Sequence, residues 1–282
     1  MPIRTVFISG PRQCGKTGFI REIARDVFVK PPHLLRLIPR KTDLPYLNLQ
    51  EDPEQMGLAS IHRVPYDADR VFEILPQAIK DIRAQQKFVT FLIEADADPS
   101  LRHAYPYEFR VFIMPAPRHM DEVFRTTEQA AQALKEVMDD TAAFASEIYG
   151  LFDSSSLEDT AGVVHNQLNH AGRREERLEV SALQMRGFLS TPLGAEIASR
   201  IQLQPEYQAL PESDVVLINT AGGCNRKVLA DCVRRFQTLL TRVRSDARKH
   251  NILCWCDPTD PADASRQELL DRLGQLWAEI TE

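Results

Sequence analysis

The octet GPRQCGKT at residues 10–17 places Gly10, Gly15, Lys16 and Thr17 in the spacing G-x-x-x-x-G-K-[ST]. Each residue type has a job in holding phosphate. The glycines let backbone amides turn inward, Lys16 brings a positive charge to the outer phosphates, and Thr17 offers a hydroxyl to magnesium. The expected ligand set is Gly10, Pro11, Arg12, Gln13, Cys14, Gly15, Lys16, Thr17 and Gly18, holding ATP or another nucleoside triphosphate with Mg. Such a loop needs a carboxylate at a neighbouring strand end, to anchor magnesium directly or through water. The run FLIEADAD supplies one: Glu94 and Asp96 fall on alternate positions at its carboxyl end, where ligands of open parallel sheets bind. The expected metal ligands are therefore Thr17 and Asp96, and Lys16, Glu94 and Asp96 are expected to take part in catalysis.

These residues must be positioned by regular elements, and the pattern supplies them. TVFIS before the octet reads as a buried strand, and Phe19, Ile20, Ile23, Ala24, Val27 and Phe28 after it share one helical face, which Pro31-Pro32 closes. LLRLI, YLNL and SIHRV are weak strand candidates within residues 34–64. A helix is predicted over 68–86, with a kink or late start at Pro76, then strands FVTFLIEA (88–95) and FRVFIM (109–114). Helical character follows over 120–152, a polar excursion over 153–180 and a helix over 181–202. DVVLIN (214–219), a helix within 225–249, ILCWC (252–256) and a helix over 264–280 close the chain. Apolar strands alternating with amphipathic helices predict an α/β three-layer sandwich with a mainly parallel central sheet. One domain over 1–282 is expected, carrying a helical insertion at about 119–210.

Composition narrows the partners. The 282 residues carry 34 Lys+Arg against 40 Asp+Glu, a formal net charge of -6, so nucleic acid is not an expected partner. No apolar run is long enough for a membrane span and no secretory leader pattern opens the chain. Five cysteines without CxxC spacing fit a reducing compartment, and a cytoplasmic protein is expected. Cys254 and Cys256 read as buried or free thiols, not metal ligands. The histidines at 103, 119, 165 and 170 form no metal spacing.

The octet in its strand-loop-helix context resembles the P-loop NTPase superfamily. Within it, FLIEADADPSLRHAYPYEFRVFIMPAPRHMDEVFR is similar to the centre of guanylate kinases, where an acidic strand precedes one ending Phe-Ile-x-Pro-Pro; here that run is Phe112-Ile113-Met114-Pro115-Ala116-Pro117. DVVLINTAGGCNRKVLADCVRRFQTLL resembles the same family's last core strand and following helix, and Arg36, Arg40, Lys41 and Tyr46 loosely echo its GMP-binding segment. The resemblance implies phosphoryl transfer to a small acceptor, with lid arginines at Arg118 and Arg125; Arg173 and Arg174 are further candidates. DVVLINTAGG also resembles the Asp-Thr-Ala-Gly turn of signal-recognition-type GTPases, but Asn219 stands where that family has aspartate, so it reads as a turn. GPRQCGKT followed by LPYLNLQEDPE is similar to the start of some AAA-like ATPases, whose acidic pair is missing here. Asp257-Pro258-Thr259-Asp260 is a candidate base contact.

Three functions stay open on this reading. The first is a kinase with a small, nucleotide-like acceptor. The second is an ATPase or GTPase switch or motor acting on a protein partner through residues 126–210, and the third is a nucleotide-binding module without turnover.

Overall fold

The computed structural model of the chain describes residues 4–39, 51–66, 71–83, 90–96, 109–130, 132–133, 136, 200–243, 251–255 and 264–281. The chain divides into two compact units: Met1–Val123 with Pro205–Leu240 and Asp246–Glu282, and Phe124–Gln204 with Thr241–Ser245. In chain order the elements are β1 (Arg4–Ser9), α1 (Lys16–Asp26), β2 (His33–Pro39), β3 (Ser60–Tyr66), α2 (Val71–Arg83) and β4 (Thr90–Glu94). They continue with β5 (Phe109–Pro115), β6 (Val215–Asn219), α3 (Arg226–Val243), β7 (Asn251–Trp255) and α4 (Ala264–Thr281).

The strands make one seven-stranded sheet in the order β3-β2-β4-β1-β5-β6-β7, and every pairing is parallel. A parallel sheet is covered on both faces, which is why its strands read as unbroken apolar runs. Alternation along the strands sends neighbours to opposite faces. Val6, Ile8, Leu34 and Leu92 pack with Phe19, Ile20 and Ile23 of α1 and with Leu269, Leu270 and Leu273 of α4. Phe7, Leu35, Phe91 and Ile93 pack with Leu75 and Ile79 of α2. The result is the expected three-layer α/β architecture with a parallel central sheet.

Two weak strand candidates, LLRLI and SIHRV, lie in β2 and β3, where they pair throughout in parallel register; YLNL lies outside the described residues. The helix expected over 68–86 starts at Val71 and runs through Pro76, so it does not start late. The region after β5 departs from expectation. Residues 116–126 are not the beginning of a helix: they hold one short 3-10 turn at Met120–Glu122 and an isolated antiparallel bridge between Phe124 and Leu203. The Arg125 amide donates to the Gln202 carbonyl at 2.9 Å instead of to its own preceding turn, and Pro115 and Pro117 cannot donate at all. Helix begins at Thr127, after a reciprocal cap in which Gln129 donates its amide to Thr126 Oγ1 and Thr126 donates to Gln129 Oε1. Of the helix expected over 181–202, Arg200 to Gln202 are described: Arg200 and Ile201 are helical and Gln202 is a turn.

Candidate functional site

β1 delivers the chain to Gly10, and no other residue type fits there. Its φ is +152°, and a Cβ would lie 1.9 Å from the carbonyl oxygen of Ile113 on β5. The backbone then turns through left-handed conformations at Gln13 (φ 59°) and Gly15 (φ 99°), the alternation that turns successive amides to one side. Helix α1 starts at Lys16, and its first intrahelical bond runs from the Phe19 amide to the Gly15 carbonyl at 3.0 Å. Gly15 has no side chain to cap the free amides, and the first turn holds no acidic residue. The positive end of α1 is thus left to an anion from outside.

Lys16 folds back across this loop. Its Nζ donates to the carbonyls of Gly10 at 2.9 Å and Pro11 at 2.8 Å and to Asp96 Oδ1 at 3.2 Å, and the residue is 7% exposed. Arg12 Nε donates to the other oxygen of the same carboxylate at 3.0 Å. Asp96 is held there because the sheet pairing continues past β4, with the Ala95 amide donating to the Ile8 carbonyl at 3.0 Å. Thr17 and Gly18 are half-buried on the first turn of α1.

Glu94 and Asp96 do different things. Glu94 is buried, and its Oε2 accepts Arg36 Nε of β2 at 2.7 Å. Arg36 Nη1 donates in turn to Glu51. Burial would lower the Arg36 pKa, but the carboxylates of Glu94 and Glu51 outweigh it and raise it. Arg36 Nη2 is buried without a hydrogen-bond partner among the described residues. The phosphate-loop corner therefore contains three cations (Arg12, Lys16, Arg36) facing three carboxylates (Asp96, Glu94, Glu51).

Cys14 points into the core and is 1% exposed. Burial pushes its thiol up to about 11 against the pull of Lys16, so at neutral pH it is a protonated, inert packing residue. Its carbonyl is the notable group. Asn219, at the end of β6, donates Nδ2 to Cys14 O at 3.0 Å. Asn219 Oδ1 accepts the Ala221 amide at 2.9 Å, and its carbonyl accepts the Ala116 amide at 2.7 Å. From sequence alone Asn219 reads as a turn residue. The signal that finds it is its place at the carboxyl end of a strand in the same sheet, which only the strand order reveals.

Arg118 is exposed, with its backbone amide on Glu122 Oε2 at 2.9 Å. Arg125 belongs to the second unit, where its Nη1 reaches the Ile201 carbonyl at 3.5 Å. Arg40, Lys41, Tyr46, Arg173, Arg174 and Asp257 to Asp260 lie outside the described residues, as do Cys256 and the polar excursion over 153–180.

A magnesium ion fits this donor set only in company. Among the described residues no group of three or more His, Cys, Asp or Glu is placed to hold a metal, whereas magnesium with nucleotide takes one or two protein oxygens and completes its shell with phosphate and water. Thr17 and Asp96 are that number. The balanced local charge points the same way, since a triphosphate needs cations beyond the three already paired.

No protein-family model and no curated protein matches the chain. Among solved structures, HypB from Helicobacter pylori in complex with nickel is similar at 11% identity, covering 98% of this chain and 88% of that one, with a TM-score of 0.44. A LAO/AO transport system kinase is similar at 10% identity, covering 99% of this chain and 59% of that one, with a TM-score of 0.45. The hydrogenase maturation factor HypB from Archaeoglobus fulgidus is similar at 13% identity, covering 97% and 90%, with a TM-score of 0.43. Likeness this loose carries no argument about chemistry, and it gives no support to the guanylate-kinase resemblance. Among the described residues no helix is long and apolar enough to cross a membrane.

Proposed function

We propose that the chain binds a nucleoside triphosphate with magnesium at residues 10–18 and hydrolyses it, acting as a P-loop NTPase whose phosphoryl acceptor is water. One observation carries the reading: Lys16, with its ammonium folded over Gly10, Pro11 and Asp96 beside an uncapped helix N-terminus. In this proposal Lys16 and the amides of the loop bind the outer phosphates, Thr17 and Asp96 hold the metal, and Gln13 to Gly18 set the backbone. Bound magnesium would supply charge neutralisation at the phosphate oxygens. Glu94, fixed by Arg36, is the carboxylate that would orient the attacking water.

Hydrolysis is preferred to transfer because Arg36, the described member of the guanylate-kinase echo, is already neutralised by Glu94 and Glu51. It has no spare charge for an acceptor's phosphate. The kinase reading retains one favourable observation: Phe112 to Pro115 form the carboxyl end of β5, beside β6. Phosphate release measured without acceptor, against transfer across a panel of nucleotides and small alcohols, separates the two. Steady acceptor-independent release supports hydrolysis; release that requires an acceptor overturns it.

The shared premise is tested by Lys16→Ala, which should weaken triphosphate binding by at least about tenfold. Unchanged affinity would sink both readings. Arg125 remains a proposed lid cation, and Arg125→Ala is expected to slow turnover without changing nucleotide affinity.

A further inference from the structure

Arg12 and Lys16 are two cations of one loop held together by one internal anion. Asp96 Oδ2 accepts Arg12 Nε at 3.0 Å, and Oδ1 accepts Lys16 Nζ at 3.2 Å. The two partners are not equivalent. Lys16 is buried and also fastened to two loop carbonyls, so it stays in place whatever Asp96 does. Arg12 has a side chain 49% exposed, and an ion pair this open to water contributes little to holding the loop. A guanidinium is built to grip a planar pair of oxygens, and it does the same on phosphate. The carboxylate of Asp96 thus occupies, between these two cations, the position that two oxygens of a terminal phosphate are suited to take.

We infer that Arg12 is the loop's own recognition residue for the terminal phosphate. A nucleoside triphosphate replaces the Asp96 carboxylate on Arg12 and Lys16, and the displaced Asp96 becomes available to the metal. A diphosphate is one group too short, so Arg12 stays on Asp96. The residue then discriminates triphosphate from diphosphate within a single chain, without a cation from a partner. This inference rests on the nucleotide-binding reading above.

The test is calorimetric titration of the full chain, with magnesium, using AMPPNP and GMPPNP against ADP and GDP. Arg12→Ala and the size-matched Arg12→Gln should each lower affinity for the triphosphate analogue about tenfold while leaving diphosphate affinity within about twofold. Arg12→Lys should recover part of the loss, because an ammonium keeps the charge and lacks the fork. Asp96→Asn, titrated without magnesium, should bind the triphosphate analogue more tightly than the natural chain, since the competing internal anion is gone. Equal weakening of triphosphate and diphosphate in the Arg12 variants, or no change in either while Lys16→Ala weakens both, would overturn the inference and leave the nucleotide site standing. No effect of Lys16→Ala would remove the site and this inference together.

Discussion

The carbonyl oxygen of Ile113 stands 1.9 Å from where a Cβ on Gly10 would be. Backbone touches backbone there, and neither side has a flexible group to move. Gly10→Ala must push β1 off β5 at the mouth of the loop, and it also places alanine at a φ of +152°. The expected cost is about 3 kcal/mol or more, together with loss of nucleotide binding. Chemical denaturation of the variant checks this, and a loss below about 1 kcal/mol would contradict the close approach.

Asn219 ties β6 to the loop by donating to the Cys14 carbonyl. Asn219→Asp keeps the acceptor that caps Ala221 but replaces the donor with a charge facing a carbonyl. Triphosphate affinity should fall about tenfold, with stability lowered by about 1–3 kcal/mol. Were Asn219 merely a turn residue, as the sequence alone had suggested, aspartate would serve there equally well and both quantities would stay put.

Arg36 is the centre of a half-buried carboxylate-guanidinium-carboxylate chain whose buried member is Glu94. Arg36→Met removes the cation and leaves Glu94 buried beside Glu51 with nothing to balance them. The expected destabilisation is about 3 kcal/mol. Adding Glu94→Gln to that variant should restore a large part of it, because the uncompensated charge is then gone. A double-mutant cycle showing additive losses would rule out the coupling.

His62 gives the fold a pH dependence that has nothing to do with the loop. Its Nε2 lies 2.6 Å from Ser60 Oγ, and that hydroxyl lies 2.6 Å from His33 Nδ1. Burial, and then the neighbouring His33, lower the His62 pKa below its ordinary 6.5. The folded state therefore favours neutral imidazole, and the stability it gains is present above pH 6.5 and lost as pH falls through the lower folded value. The melting temperature should drop between about pH 7.5 and about pH 5.5, and His62→Gln should drop less over the same interval. Parallel melting curves for the two proteins would assign the acid sensitivity to other groups.

Much of this architecture can be read from residues that are neighbours in the chain. GPRQCGKT between an apolar run and an amphipathic segment announces β1, the loop and α1, because all the groups involved lie within twenty-odd residues and obey local rules. Glu94 and Asp96 are likewise legible as a strand-end acidic pair. Their different fates are not, since Arg36 lies 58 residues from Glu94 and 15 from Glu51, and no local pattern records which carboxylate an arginine will meet. Asn219 was missed for the same reason, being 205 residues from Cys14. The segment after β5 was misread because its Ala-rich continuation has helical propensity while its start is decided by a partner, Gln202, more than seventy residues downstream.

The three contacts of Asn219 end on the loop, on the start of the segment after β5 and on the turn after β6. Phosphate loop and strand ends are consequently joined through one residue. Occupancy of the loop would then be legible far from any phosphate, as slower amide exchange at Ala116 and Ala221, making the carboxyl end of the sheet a built-in reporter of whether the chain is loaded.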